Sequence, residues 1–205
     1  MTTDPPAPNP AALLAFTVPD DAAMAGLHRR LAESADRAGI LDVAYRTIDS
    51  PVGSLLLAAT ERGLVRVAFA SQGHDGVLES LASTLGPRIL RAPGRLDPVA
   101  AELEEYFAGR RTGFQLPLDF SLSSGFRQLV QRHLSDIDYG HTATYQQLAQ
   151  LVGNPGAVRA VGSACATNPL PIVVPCHRVI RTDGSIGGYA GGAAAKTSLL
   201  ALEAA

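Results

Sequence analysis

From Asp20 or Asp21 onward, apolar residues fall at helical spacing: Met24, Leu27, Leu31, Ala35 and Ala38, with Arg29, Arg30, Glu33 and Asp36 on the other faces. An aspartate at the N-cap ahead of a 3.6-residue period predicts a short amphipathic helix. Residues 1–10, rich in Pro, Thr and Ala, read as a disordered tail. Between Val43 and Ala70 the period shortens to that of strands. Val43-Ala44-Tyr45-Arg46-Thr47-Ile48 leads into a Ser50-Pro51-Val52-Gly53 turn, and two apolar runs, 54–59 and 64–70, flank Thr60-Glu61-Arg62-Gly63. The pattern is that of an antiparallel meander. Helices are predicted over 76–85 and 98–107, the second with Glu102, Glu104 and Glu105 outward, and 116–122 alternates like a short strand.

From Ser124 the chain turns mostly helical, beginning with a stripe of Phe126, Leu129, Val130, His133, Leu134 and Ile137. A segment over 145–152, a turn at Gly153-Asn154-Pro155 and a second helix over about 156–166 follow. Two short helices joined by a tight Gly-containing turn fit a helix-turn-helix. The class expected is α/β (α+β). Residues 1–40 carry the tail and amphipathic helix, 41–122 an N-terminal domain with a small antiparallel sheet and flanking helices, and 123–205 a mostly helical C-terminal domain.

Charge and composition narrow the function classes. A formal net charge of −2 excludes a polycationic nucleic-acid tail. The split is uneven, however: residues 1–120 hold 11 basic and 15 acidic groups, and 121–205 hold 6 and 4, so the basic excess falls on the helix pair. Two cysteines, Cys165 and Cys176, are too few for a disulfide framework or a four-cysteine zinc site. His28 and His74 have no partner ligands at usable spacing, so no metal is expected. No apolar stretch reaches the roughly 18 residues of a membrane span, no secretory signal is evident, and a cytoplasmic setting is the default.

The most informative segment is Asn168-Pro169-Leu170-Pro171-Ile172-Val173-Val174-Pro175-Cys176-His177-Arg178-Val179-Ile180. An apolar run bracketed by prolines delivers a Cys-His pair, which predicts an enclosed thiol. A cysteine in apolar surroundings is inert unless a base or a positive neighbour favours the thiolate, and His177 is the nearest imidazole. Successive side chains in an extended segment diverge, so the two would communicate through a bridging water.

Pro175-Cys176-His177-Arg178-Val179, together with upstream Asn168-Pro169 and downstream Gly187-Gly188-Tyr189-Ala190-Gly191-Gly192, resembles the active-site signature of the O6-alkylguanine-DNA alkyltransferases, the methylated-DNA–protein-cysteine methyltransferases. The resemblance continues through Thr144-Tyr145-Gln146-Gln147-Leu148-Ala149, Gly153-Asn154-Pro155 and Ala157-Val158-Arg159-Ala160-Val161-Gly162, and so covers residues 124–203. The meander resembles the family's N-terminal domain more loosely. The resemblance implies that Cys176 accepts an alkyl group from O6-alkylguanine once per molecule, without a cofactor. It implies that His177 removes the thiol proton through a water, that Glu203 orients the imidazole, and that Tyr145 hydrogen-bonds guanine N3. Asn168 would be the hinge between recognition helix and active-site strand.

On the DNA side, the resemblance implies docking in the minor groove of duplex DNA containing alkylated bases, with the target nucleotide flipped out. Arg159 would fill the vacated space, and small residues around it (Ala157, Ala160, Gly162, Ser163) would let the helix approach closely. Cys165, Pro171, Val179, Tyr189 and Ala190 would line the base pocket. Family members often carry a hydroxyl residue where this chain has Ala190, and some a bulkier one where it has Gly188; the Ala190 backbone N–H remains a donor. A monomer is expected, with cooperativity on DNA and activity on O4-alkylthymine left open. Two other readings stand beside this one: a non-catalytic sensor of alkylated DNA, in which the acceptor cysteine would be replaced, and a cysteine hydrolase, which would need an oxyanion hole and a turnover cycle.

Overall fold

The computed structural model describes residues 20–204, so the predicted tail at 1–10 lies outside the described residues. Helix α1 (Asp21–Arg37) begins where Asp20 caps it, the carboxylate accepting from the Ala23 amide at 2.6 Å. Its buried face differs from the predicted stripe. Met24, Leu27 and Leu31 are 37%, 45% and 54% exposed, whereas Ala32 and Ala35 are buried with Leu41, Ala44 and Ala92. Asp36, assigned to an outer face, pairs with Arg95. Small residues allow the helix to lie close to the sheet edge, and the ion pair fixes that side inward.

Strands β1 (Val43–Ile48), β2 (Leu55–Thr60) and β3 (Gly63–Phe69) form the predicted antiparallel meander. A fourth strand, β4 (Ile89–Arg91), pairs in parallel with β1, giving the order β3-β2-β1-β4. A strand of three residues, set between Pro87 and Pro93, is too short to show an alternation, so β4 has no periodic signal. β2 is central and buried on both faces, which is why it reads as an unbroken apolar run. Leu56 and Ala58 face α2 (His74–Leu85) at Val77 and Leu81. Leu55, Leu57 and Ala59 point into the main core, with Leu103 and Tyr106 of α3 (Asp97–Phe107). Of the three glutamates expected outward on α3, Glu104 is exposed, while Glu102 and Glu105 hold Arg111.

The strand expected over 116–122 is reduced to one parallel bridge between Leu64 and Leu118. The Pro117 carbonyl accepts from the Leu64 amide at 2.9 Å, and the Asp119 amide returns a bond to Leu64 at 2.8 Å. Pro117 has no N–H with which to extend the ladder. Gly63, at φ +131°, is required here, because a Cβ would stand 2.1 Å from the Pro117 oxygen.

The C-terminal part is helical: α4 (Gly125–His133), α5 (Tyr145–Leu151), α6 (Val158–Ala166) and α7 (Gly192–Glu203). Buried Gln131 on α4 donates to the Ala164 and Thr167 carbonyls at the end of α6. Leu129, counted in the apolar stripe, is 42% exposed. Strands β5 (Ala143–Thr144) and β6 (Val179–Ile180) pair in parallel. Val130, Leu134, Leu148, Val161, Leu170, Val174 and Leu199 share one core with the sheet and α3. No helix among the described residues is long and apolar enough to cross a membrane.

Candidate active site

Residues 168–175 connect α6 to a single 3-10 turn, Cys176–Arg178, which then enters β6. The Cys-His pair therefore sits on a tight turn, not on the extended segment read from the sequence. Asn168 organises the approach. Its Nδ2 donates to the Val174 carbonyl at 2.8 Å and to Cys176 Sγ at 3.2 Å, and its Oδ1 accepts from the Leu170 amide at 3.0 Å. Between these anchors, fully buried Ile172 has φ +76°, a left-handed conformation that a β-branched residue adopts only under constraint, at a cost of about 1–3 kcal/mol. The Val174 amide bonds the Leu170 carbonyl at 2.8 Å and closes this loop.

Cys176 is 4% exposed. Burial pushes its thiol up to about 11, against the opposing pull of the Asn168 amide and the Lys196 ammonium. His177 is fully buried, and its Nε2 lies 2.8 Å from Glu203 Oε1 at the end of α7. Glu203 also receives Tyr106 Oη at 2.6 Å on Oε1, a fork from Arg178 (Nε to Oε2 at 2.8 Å, Nη2 to Oε1 at 2.9 Å) and the Gly140 amide at 3.3 Å. Burial alone would raise this carboxyl. The bonds from His177, Arg178 and Tyr106 instead hold it down at about 2, so it is an anion that can only accept.

The tautomer of His177 follows. Its titration is lowered by burial, and the positive charges of Arg178 and Lys196 add to the effect against Glu203, so the imidazole is neutral at pH 7. A neutral ring beside an acceptor-only carboxylate carries its proton on Nε2 and leaves a lone pair on Nδ1. Nδ1 is buried and has no partner among the described residues. A protonated thiol and an oriented, neutral base are the components of general-base activation of a nucleophile.

The other predicted residues divide between this centre and the surface. Tyr145 opens α5, held by the Thr144–Gln147 capping box, and the β5–β6 pairing ties that helix start to the strand that follows Cys176. Its hydroxyl is raised by burial and by proximity to Cys165 and Cys176, and a Cβ on Gly187 would lie 2.3 Å from it. Cys165, Pro171 and Val179 are buried, and Ala190 is half-buried. Burial and neighbouring Cys176 push the Cys165 thiol up to about 12, which leaves it inert. The Tyr189 ring stands edge-on to Phe69 at 5.5 Å and to His177 at 6.2 Å. On α6, Arg159, Ala160 and Ser163 are exposed, Ala157 and Gly162 are half-buried, and Val161, Ala164 and Cys165 face inward. Arg159 makes no ion pair among the described residues.

Three residues bonded within this neighbourhood escaped the sequence reading: Tyr106, Arg178 and Lys196. Arg178 lies inside the quoted signature but carried no assigned role. Lys196 is the only lysine in the chain, set in an alanine-rich helix, and this singularity was a usable signal. It is fully buried and donates to the Val179 carbonyl at 2.5 Å. Tyr106 comes from the N-terminal half, and nothing local marks it. Surface clefts of about 490, 340 and 240 Å³ are lined by residues of the N-terminal half, such as Arg111, Arg95 and Arg66, with Leu122 the last residue along the chain in any of them. No set of three His, Cys, Asp or Glu among the described residues is placed to hold a metal.

Comparison with known proteins agrees with this architecture. Residues 43–120 match the model of the 6-O-methylguanine DNA methyltransferase ribonuclease-like domain, and 125–205 match that of the 6-O-methylguanine DNA methyltransferase DNA binding domain. The chain is 41% identical over 161 residues to a methylated-DNA–protein-cysteine methyltransferase of Mycolicibacterium paratuberculosis, covering 78% of this chain and 92% of the relative. It is 41% identical over 165 residues to the Rattus norvegicus protein of the same name, covering 76% and 78%. Among solved structures, a Mycobacterium tuberculosis O6-methylguanine methyltransferase superposes with TM-score 0.70 at 40% identity, covering 79% of this chain and 93% of that one. Mycobacterium tuberculosis OGT in complex with DNA superposes at 0.67 with 39% identity, covering 78% and 92%.

Proposed function

The chain belongs to the 6-O-methylguanine DNA methyltransferase family, and from that premise we infer that it repairs DNA by moving an alkyl group from O6 of guanine irreversibly onto its own Cys176. The observation that supports this most is the enclosed Cys176 thiol beside a neutral His177 locked in one tautomer by ionised Glu203. In this reading the Nδ1 lone pair takes the thiol proton through one water as Sγ attacks the alkyl carbon. The S–C bond forms while the C–O6 bond breaks, and the electron pair passes to the purine. Tyr145 donates to guanine N3 as that charge develops. The thioether is stable, so each molecule acts once.

DNA is the partner, and we assign the exposed edge of α6 to the minor groove of duplexes carrying alkylated bases. Arg159 takes the space of the flipped nucleotide, while Ala157, Ala160, Gly162 and Ser163 permit close approach. Cys165, Pro171, Val179, Tyr189 and Ala190 are proposed to enclose the base. We divide the chain into a leading segment (1–40), a sheet-bearing domain (41–122) and a DNA-binding, alkyl-accepting domain (123–205), acting as a monomer in the cytoplasm. The test is mass spectrometry after incubation with duplex DNA containing O6-methylguanine. One added methyl on the peptide that contains Cys176 is expected, and an unmodified peptide at full DNA occupancy excludes the reaction.

A further inference from the structure

We propose that Tyr106, contributed by the sheet-bearing half of the chain, is a positioning residue for alkyl transfer: its hydroxyl holds the Glu203 carboxylate in place and, through it, the His177 imidazole. The proposal rests on the reaction inferred above.

Tyr106 is 0% exposed. Its ring packs among Phe107, Phe114 and Tyr139 at centroid distances of 5.5, 5.3 and 6.2 Å, a set that a phenylalanine would satisfy equally well. The hydroxyl is what sets tyrosine apart here. It donates to Glu203 Oε1 at 2.6 Å and stands 3.5 Å from His177 Nε2. Burial and the carboxylate beside it both keep this phenol protonated, so it remains a donor at every working pH.

The position of Glu203 explains why such a donor matters. It is the last residue of α7, where a helix ordinarily frays, yet it is 5% exposed. Arg178 sets the plane of the carboxylate and neutralises its charge. Tyr106 approaches Oε1 from the other half of the molecule and stands against the edge of the imidazole that bears Nε2. Three donors thus share Oε1: Tyr106, His177 and Arg178. Removing one leaves more negative charge facing His177 and gives both side chains more freedom. The charged and titratable groups around His177 are Glu203 and Lys196 on α7, Arg178 on its own turn, Cys176 beside it, Tyr189 of the glycine-rich loop and Tyr106 on α3. Replacing Tyr106 by Phe changes one of these and retains the ring.

The test is the single-turnover rate of Cys176 methylation by full-length Tyr106→Phe, measured from pH 5 to 9 and normalised to titratable Cys176, with a thermal melt of each sample. The expected result is a rate lowered about tenfold near pH 7. Duplex DNA and free O6-benzylguanine should be affected equally, and the acid limb of the profile should move up by about half a pH unit. Phe114→Leu, which loosens packing on the same ring without touching Glu203, should lower the melting temperature and leave the acid limb in place. Normalised rates and an acid limb equal to the parent's in Tyr106→Phe would overturn the assignment, as would a shift of the limb in Phe114→Leu of the same size. If the parent protein itself leaves Cys176 unmodified, the reaction has failed and not the role of Tyr106.

Discussion

Two opposed influences meet at Cys176. Burial holds the thiol protonated, which protects it from oxidation and adventitious electrophiles, while Asn168 and Lys196 stabilise the thiolate that must form during transfer. The proposed reaction therefore depends on proton removal coupled to attack, the step assigned to His177 and Glu203. Arg159 is proposed for a different one. It projects from the exposed edge of α6 with no ion-pair partner among the described residues, and the proposed function assigns it to holding duplex DNA with a base extruded. Arg159→Ala should lower the rate on duplex substrate on the order of a hundredfold, while transfer from free O6-benzylguanine changes less than about twofold. Equal losses on the two substrates, measured as single-turnover rates, would remove the flipping role. At this scale the sequence singles out Cys176, His177 and Arg159 as candidates because the signature segments carry them. Tyr106 was not, because a buried tyrosine in a Glu-Glu-Tyr-Phe helix looks like any core aromatic.

The elements nearest the chemistry are short and depend on their ends. α5 has seven residues, too few to be stable by propensity, and the Thr144–Gln147 capping box together with the β5–β6 pairing holds its start. That start is Tyr145. Thr144→Ala should therefore destabilise the protein by about 1 kcal/mol, lowering the melting temperature by about 2–4 °C. It should also slow transfer several-fold, because Tyr145 loses its fixed position; a melt and a rate measured on one preparation check both. Periodicity located α1, β1, β2, β3, α2, α3, α5 and α6 to within a few residues, because each has a repeated apolar face or a clear turn. β4 and the 116–122 segment went astray for opposite reasons: the first is too short to show a period, and the second alternates but ends its ladder at Pro117. The exposed leucines of α1 show that an apolar stripe predicts a helix more securely than it predicts which face is buried.

Across the whole molecule the ionisable groups of the site tie stability to pH in both directions. His177 and Glu203 titrate lower in the folded protein than the ordinary 6.5 and 4.5. The unfolded chain then binds protons that the folded one does not, so stability is complete above about pH 6.5 and is lost as pH falls, through His177 first and Glu203 between about 4.5 and 2. Cys176 and Cys165 titrate higher than the ordinary 9. Their contribution is complete below pH 9 and is lost as pH rises through about 11 and 12. Urea denaturation midpoints should accordingly form a plateau between about pH 6.5 and 9 and fall on both sides, and Glu203→Gln should flatten the acid side below pH 4.5. The same site joins the two halves of the chain, with Tyr106 and Phe69 from the first packed against Glu203, Tyr189 and Gly191 of the second. The sequence alone determined the class of fold, the β1–β2–β3 meander, most of the helices and the Cys176-His177 pair, since these depend on local periodicity and contiguous motifs. Only the tertiary structure decided the tautomer of His177, the saturation of Glu203 and the part played by Tyr106. Those depend on donors 25 to 97 residues apart converging on one carboxylate, and no local pattern encodes that convergence.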